Sequence, residues 1–549
     1  MNLSRIIERW AHATPGRCAM HFHGEDISYV ALWQRIDSAT LLLRHRFDVR
    51  AGERIAWLGL NHPDLIVFLM ALARLGAIAV PLNFRLAPAE LASILTQSGA
   101  RLLLCDEAMR AAGRAAVTSA GIALEPASLF GEIAQSLVPQ GFAGDGAGES
   151  AAAGASNGEA NSPTQLPGRD ASPVLIVYTS GTTGRPKGAV HTQANLLANI
   201  EAAIAAQDIH AGDHLLNALP MFHVGGLCIQ TLPVLAAGGS VTLHARFDPG
   251  AWIADVAARR PSISLLVPAT LKAILDHPAW PGADLSSLRF INTGSSTIPR
   301  SLIDAVHARG VPVSQVYGAT ETGPVSIVLR PEHAHAKAGS AGKPALGVEV
   351  RLVHAGGVDC RQGETGEIWI RGGNVVAGYW HGHGHGQGRG GEHGRTEIER
   401  GSPPDAVADN GIDTSAFDDG WFRSGDLAYQ DADGFYWVAG RSKDMIISGG
   451  ENIYPAEIEN ILADCASIAD CAVIGQDDVN WGEVAVAVIV KQPNAALDQV
   501  AVLQLFEGRL ARYKHPRRVL FVESLPKTAL GKVKKDELRA SLTMTGAEQ

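Results

Sequence analysis

Residues 174–190 read VLIVYTSGTTGRPKGAV, an apolar, β-branched run that passes without a break into a loop of Gly, Ser and Thr closed by Lys187. The run is short and bounded by turn residues, which predicts a buried strand. The loop that follows suits phosphate. Gly181, Gly184 and Gly188 let backbone amides approach an anion closely, Thr179, Ser180, Thr182 and Thr183 add hydroxyl donors, and Lys187 adds charge. An ordinary Gly-rich turn would have the same composition. The spacing is not that of a Walker A loop, because Gly188 rather than Ser or Thr follows Lys187.

On the N-terminal side, up to about residue 140, amphipathic helices alternate with short β-branched runs. A helix at Leu65 to Arg74 leads into a strand at Ala77 to Pro81, and a later strand is expected at Arg101 to Cys105; this alternation is an α/β signature. Leu65 to Leu82 is the most membrane-like stretch, but Arg74, Gly76 and Pro81 break it, so it reads as a buried helix entering a buried strand. Residues 141–169 and 381–413 lack large apolar residues in any core-forming pattern and are expected to be flexible insertions; deleting Ser156 to Gln165 or His381 to Gly391 is expected to leave stability nearly unchanged. The second contains His381, His383, His385 and His393, whose His-Gly alternation has no fixed ligand geometry and reads as a solvated loop before it reads as a metal site. After Arg441 the pattern becomes α+β, with a helix at Pro455 to Ala463, strands at Ala472 to Ile474 and Ala485 to Val490, and a helix near Val500 to Leu510. This divides the chain into a body of residues 1–440 and a separate C-terminal domain of residues 441–549.

Composition bounds the function. The 549 residues are 46% hydrophobic and 19% charged, enough apolar material for a large core and too little charge for global disorder. A formal net charge of −10 argues against a polyanion-binding surface, so no nucleic-acid partner is expected. The six cysteines form no CxxC pair, and Arg5, Glu8 and Arg9 interrupt the N-terminal apolar residues. A soluble protein of a reducing, cytoplasmic compartment, with no integral membrane segment, is therefore expected.

Four further segments extend the reading: PMFHVGG at 220–226, YGATET at 317–322, GWFRSGD at 420–426 with GRSKDMIISGGENIYPAEIE from 440, and PKTALGK at 526–532. Together with YTSGTTGRPKG, in this order, they resemble the signatures of the adenylate-forming (AMP-binding) superfamily: acyl-CoA synthetases, peptide-synthetase adenylation domains and firefly-type luciferases. The resemblance spans nearly the whole chain. It implies a body of two α/β sheet subdomains plus a β-rich subdomain, and a small mobile α+β C-terminal domain. It also implies ATP, magnesium and coenzyme A. Coupling a carboxylate to AMP brings two anions together, so fixed cations and donors around the α-phosphorus should dominate catalysis. By resemblance, Thr320 is an α-phosphate donor, Glu321 the magnesium ligand, and Tyr317 and Gly318 belong to the nucleotide-binding segment. Asp426 accepts the ribose hydroxyls with Arg441 beside it, and Lys532 bridges the substrate carboxylate and the α-phosphate. His223 stands near the thiol entry, Gly449 and Gly450 line the CoA route, and Lys443 is the hinge. In isolation, a Thr-Glu pair would read as a helix cap with an acidic first turn, and a lone lysine as a solvated charge.

The family's acyl pocket lies behind PMFHVGG and beside the segment reading NTGSST at 292–297. Neither segment holds Lys or Arg, which disfavours dicarboxylates. His223 rather than Asp follows Phe222, which disfavours amino acids, while Ser295-Ser296 replaces a common Ala-Pro and leaves the pocket shape open. Only 17 residues follow Lys532, so no carrier domain is expected there. The first expectation is a CoA ligase for an apolar monocarboxylate, with a fatty acid as first choice. An aryl or alicyclic carboxylate, succinylbenzoate included, is the alternative, and a luciferase-like oxygenase ranks after both. Intact Lys187, Glu321, Asp426 and Lys532 argue against a degenerate binding protein. A homodimer is left open.

Overall fold

The computed structural model describes residues 2–126, 171–179, 186–295, 298–381, 412–448, 451–478, 481–507, 509–510, 512–528 and 531–545. The chain divides into two compact units, Met1–Leu197 with Tyr379–Asp413, and Ala198–Gly378 with Thr414–Gln549.

In the first unit a sheet runs in the spatial order Ile412–Asp413, Tyr379–Trp380, Lys187–Thr192, Pro173–Thr179, Ile78–Leu82, Arg54–Leu58, Leu102–Cys105, Ala123–Pro126. Its strands from Pro173–Thr179 to Ala123–Pro126 are parallel, and Lys187–Thr192 turns back antiparallel beside Pro173–Thr179. The expected Leu65 to Arg74 helix is Pro63–Leu75. It is extended by the His62 side chain, which accepts from the Asp64 amide, by Pro63 in the first turn, and by Gly76 in the left-handed conformation at its end. Every residue of this helix is buried except Arg74, which pairs with Asp37. The charge that breaks the apolar run thus marks the helix's one outward face. No helix among the described residues is long and apolar enough to cross a membrane. Of the expected insertions, residues 141–169 lie wholly outside the described residues, and residues 381–413 do so apart from His381, Ile412 and Asp413. Ile412–Asp413, assigned to a loop from sequence, is a short strand paired with Tyr379–Trp380, because Ile412 is buried against the sheet's core.

Among the described residues, three further sheets lie wholly or mainly in the second unit. Ser240–Leu243, His214–Asn217, Ile263–Leu266, Phe290–Gly294 and Val313–Tyr317 form a parallel array, extended antiparallel by Ile327–Leu329 and Lys343–Pro344. Helices Pro249–Arg259, Pro268–Leu275 and Arg300–His307 connect its strands and bury Trp252, Leu271, Ile274 and Ile303 against them. A β-rich sheet follows, Val348–Val353, Gly366–Gly372, Trp421–Gln430 and Phe417–Asp418, with Tyr436–Arg441 beside Trp421–Gln430. Beyond Arg441 a fourth sheet, Glu451–Ile453, Ile446–Ser448, Gly482–Lys491, Ile468–Asp478 and Arg518–Phe521, packs on helix Pro455–Ala463 around Ile458, Val473 and Ile489. The fold is α/β with a β-rich part and an α+β C-terminal part, as the sequence implied. The helix expected near Val500 to Leu510 ends sooner, as Gln499–Gln504, because the turn after it carries Phe506 fully into the core.

Candidate active site

Neighbouring parallel strands of the second unit all point their carboxyl ends toward one edge, and in open α/β sheets that edge is where ligands settle. His214–Asn217 runs into the PMFHVGG segment, Ile263–Leu266 into Val267, Phe290–Gly294 into Ser295, and Val313–Tyr317 into the YGATET segment. A cavity of about 20 Å³ opens there, lined by Leu219, His223, Ile229, Leu265, Val267 and Gly294 among others. None of the described residues lining it is Lys, Arg, Asp or Glu. His223 caps the helix Val224–Cys228 by accepting from the Gly225 amide on Nδ1 at 3.0 Å. That bond fixes the tautomer with its proton on Nε2, and burial lowers the imidazole pKa to about 4, so the ring is neutral at physiological pH.

The YGATET segment forms a braced turn. Thr320 and Glu321 are buried on a short 3₁₀ turn, Thr320–Thr322, whose backbone is held by Asn374 Nδ2 donating to the Thr322 carbonyl at 2.5 Å and by the Val376 amide donating to the Glu321 carbonyl at 2.9 Å. Gly318 is required sterically: a Cβ there would stand 1.8 Å from the Pro324 carbonyl oxygen. Tyr317 extends from the preceding strand and donates its hydroxyl to Asp426 Oδ2 at 2.9 Å. Burial, and then the Asp426 charge, raise the Tyr317 pKa well above the ordinary value, so the phenol stays a donor. Arg441 Nε lies 3.0 Å from Asp426 Oδ1 across two paired strands. Asp426 is thus aligned by a neutral donor on one oxygen and a cation on the other.

Lys532 belongs to the same cluster. Its turn is closed by the Thr528 amide donating to the Lys532 carbonyl at 2.7 Å and by the Lys532 amide donating to Thr528 Oγ1 at 3.2 Å. Gly531 in that turn packs against the helix Pro268–Leu275, since a Cβ on it would be 3.0 Å from that of Ala269. Desolvation first, then the Arg441 charge, lower the ammonium pKa to about 8, while Asp426 and Asp444 pull it upward. The residue keeps substantial solvent contact, so screening tempers the shift; crowding and the nearby cation both act downward. Lys443 forms an exposed ion pair with Asp536 at 2.8 Å, in the 3₁₀ turn Ser442–Asp444 that leaves Arg441.

In the first unit, Thr179 and Lys187 face each other at the mouth of an antiparallel strand pair, with Thr179 Oγ1 donating to the Lys187 carbonyl at 3.3 Å. Lys187 Nζ stands 5.1 Å from the centre of the Tyr379 ring, a cation–π contact that holds the side chain in place. Ser180, Gly181, Thr182, Thr183 and Gly184 lie outside the described residues, as do Gly449 and Gly450. Gly188 differs from expectation. It sits within the strand, where a Cβ would come 2.7 Å from Ile176 Cγ2, so packing rather than anion approach requires glycine there.

Sequence reasoning missed the Tyr317 bond to Asp426, and it missed three buried amide side chains, Gln207, Gln230 and Asn292. Each lies in an otherwise apolar segment, and no local pattern announces that they meet.

The AMP-binding enzyme family matches residues 7–380, and the AMP-binding enzyme C-terminal domain matches residues 457–532. The indoleacetate–CoA ligase of Aromatoleum aromaticum is 41% identical over 98% of both chains. The feruloyl-CoA synthase of an Amycolatopsis species is 39% identical over 97% of both. Among solved structures, the o-succinylbenzoate CoA synthetase of Bacillus subtilis, in complex with its acyl-adenylate intermediate, superimposes with a TM-score of 0.79 at 27% identity, covering 97% of each chain. The chain belongs to the AMP-binding enzyme family, as an adenylate-forming CoA ligase that works with ATP, magnesium and coenzyme A.

Proposed function

We propose that this ligase activates an apolar monocarboxylic acid built on an aromatic ring. The observation that carries the reading is the cavity at the strand ends, which is uncharged, apolar and bounded by a neutral His223. The ring preference, in place of the fatty acid first expected, is supported by relatives at 41% and 39% identity named for indoleacetate and ferulate.

In the first half-reaction a carboxylate oxygen attacks the α-phosphorus of ATP and pyrophosphate leaves. Lys532, cationic below about pH 8, lies within electrostatic reach of Asp426 and Arg441 and would draw the two anions together. Asp426, held by Tyr317 and Arg441, offers a fixed acceptor for ribose hydroxyls, and Thr320 offers a hydroxyl donor on a rigid turn. Glu321 presents the buried oxygen donor that a hard cation takes. Magnesium held there would offset charge on the departing pyrophosphate. In the second half-reaction the CoA thiol loses its proton to water and attacks the acyl carbon, and AMP leaves; His223 stands beside the cavity as a neutral ring. The Ser180–Gly184 loop as the phosphate cradle, Gly449 and Gly450 on the CoA route, and the division at residue 441 with a moving C-terminal domain belong to this proposal too.

The test is a panel of ring, alicyclic and straight-chain acids assayed for AMP formation with and without CoA. Acid-dependent AMP release that needs CoA and is fastest with ring acids is expected. ADP as product, or fatty acids outpacing every ring acid, would overturn the reading.

A further inference from the structure

Gln207, Gln230 and Asn292 form a fully buried amide trio. Gln207 Nε2 donates to the Ile229 carbonyl at 3.2 Å. A carbonyl only accepts, so that contact fixes which end of the Gln207 amide is which. Gln207 Oε1 must then be the acceptor that faces the other two side chains. Gln230 Nε2 donates to it at 2.9 Å and Asn292 Nδ2 at 2.8 Å. Both amides therefore turn their NH2 groups toward Gln207, and both carbonyl oxygens are left over. Gln230 Oε1 and Asn292 Oδ1 have no hydrogen-bond partner among the described residues.

Two orphaned acceptors at one buried spot are costly, because each has given up its hydrogen bonds to water. Their place gives them a use. Ile229, whose carbonyl anchors the trio, lines the cavity, and so does Gly294. Asn292 is two residues before Gly294 in the strand Phe290–Gly294, and alternate strand residues share a face. The trio is thus the layer met next by anything that extends past Ile229 and Gly294.

We propose that Gln230 and Asn292 form a specificity subsite for a hydrogen-bond donor, an N–H or O–H, on the ring end of the substrate acid, with Gln207 positioning both amides. This rests on the ring-acid reading above and sharpens it: the preferred acid has an apolar body, one carboxylate and a ring donor distal to it.

The experiment compares kcat/KM for CoA-dependent AMP formation within matched pairs: indole-3-acetate against benzofuran-3-acetate, and 4-hydroxycinnamate against cinnamate. At least one pair is expected to favour the donor-bearing acid by about tenfold or more, because a site built around a donor rejects the analogue that lacks it. Gln230→Met and Asn292→Leu should shrink that preference toward parity, mainly through KM of the donor-bearing acid. Parity within about twofold for both pairs in the unaltered enzyme would mean that water satisfies the oxygens, and would overturn the subsite while leaving the ring-acid reading intact. A preference that neither substitution changes would also overturn it. Fatty acids outpacing all four ring acids would overturn the ring-acid reading and the subsite with it. Should a variant fail to fold, the comparison within the unaltered enzyme still decides.

Discussion

His191 is fully buried in the strand Lys187–Thr192, and neither ring nitrogen has a hydrogen-bond partner among the described residues. Burial lowers its pKa to about 3. The unfolded chain, with histidine near its ordinary value, then binds a proton first as pH falls. Stability is therefore fully present above about pH 6.5 and lost progressively toward pH 3, by on the order of 3 kcal/mol at pH 4. His191→Phe is expected to flatten this acid slope and leave the melting temperature at pH 8 equal or higher; parallel slopes for the two proteins would show that another group sets it. Lys532 acts in the opposite direction on the pH axis. With its pKa lowered to about 8, adenylate formation should decline as pH rises past 8, and Lys532→Ala should cut that step by about a hundredfold or more. Conversion of a supplied acyl-adenylate by Lys532→Ala should persist; its loss in step with adenylation would remove the assignment. Asp426, Arg441 and Lys532 were singled out because the segments that carry them resemble family motifs, and the structure brings the three together. The amide trio could not be read from sequence, since Gln207, Gln230 and Asn292 become neighbours only when a helix, a helix cap and a strand pack together.

The turn after Val313–Tyr317 shows how an element is held still from a distance in sequence. Asn374 and Val376, arriving from more than 50 residues downstream, clamp its carbonyls, and Gly318 lets the chain pass the Pro324 carbonyl. Gly318→Ala should push Thr320 and Glu321 out of place and reduce adenylate formation by on the order of a hundredfold, since small displacements of reacting groups are costly. Quenched-flow detection of the adenylate would show this, and near-normal rates would mean that the turn accommodates a methyl group. Element ends were harder to read than element centres. The helix Pro63–Leu75 gained residues from caps whose hydrogen bonds cannot be read from apolar spacing, and Gln499–Gln504 lost them to the burial of Phe506. Helix Pro455–Ala463 matched at both ends because Pro455 marks its first turn.

At the scale of the whole molecule, the layers could be read from alternating patterns, whereas strand order could not, because hydrogen-bond partners such as Phe290–Gly294 and Val313–Tyr317 are chosen by packing of the helices between them. In the C-terminal part the turn bearing Lys532 is seated on Ala269, while Lys443 is tied to Asp536 at the exit from Arg441. Lys443→Pro should restrict the backbone there, sparing adenylate formation while slowing thioester formation from a supplied acyl-adenylate. Equal loss of both steps would favour one fixed arrangement. The seat of that turn also sets a timetable. If the same small domain must leave before its other surface can serve the thiol, pyrophosphate departs before CoA arrives, and the enzyme spends each cycle as two unequal populations, one free and one carrying an adenylate. Steady-state plots at varied CoA and carboxylate should then give parallel lines, the mark of a ping-pong sequence, and scarcity of CoA in a cell would leave the protein stalled as a store of activated acid.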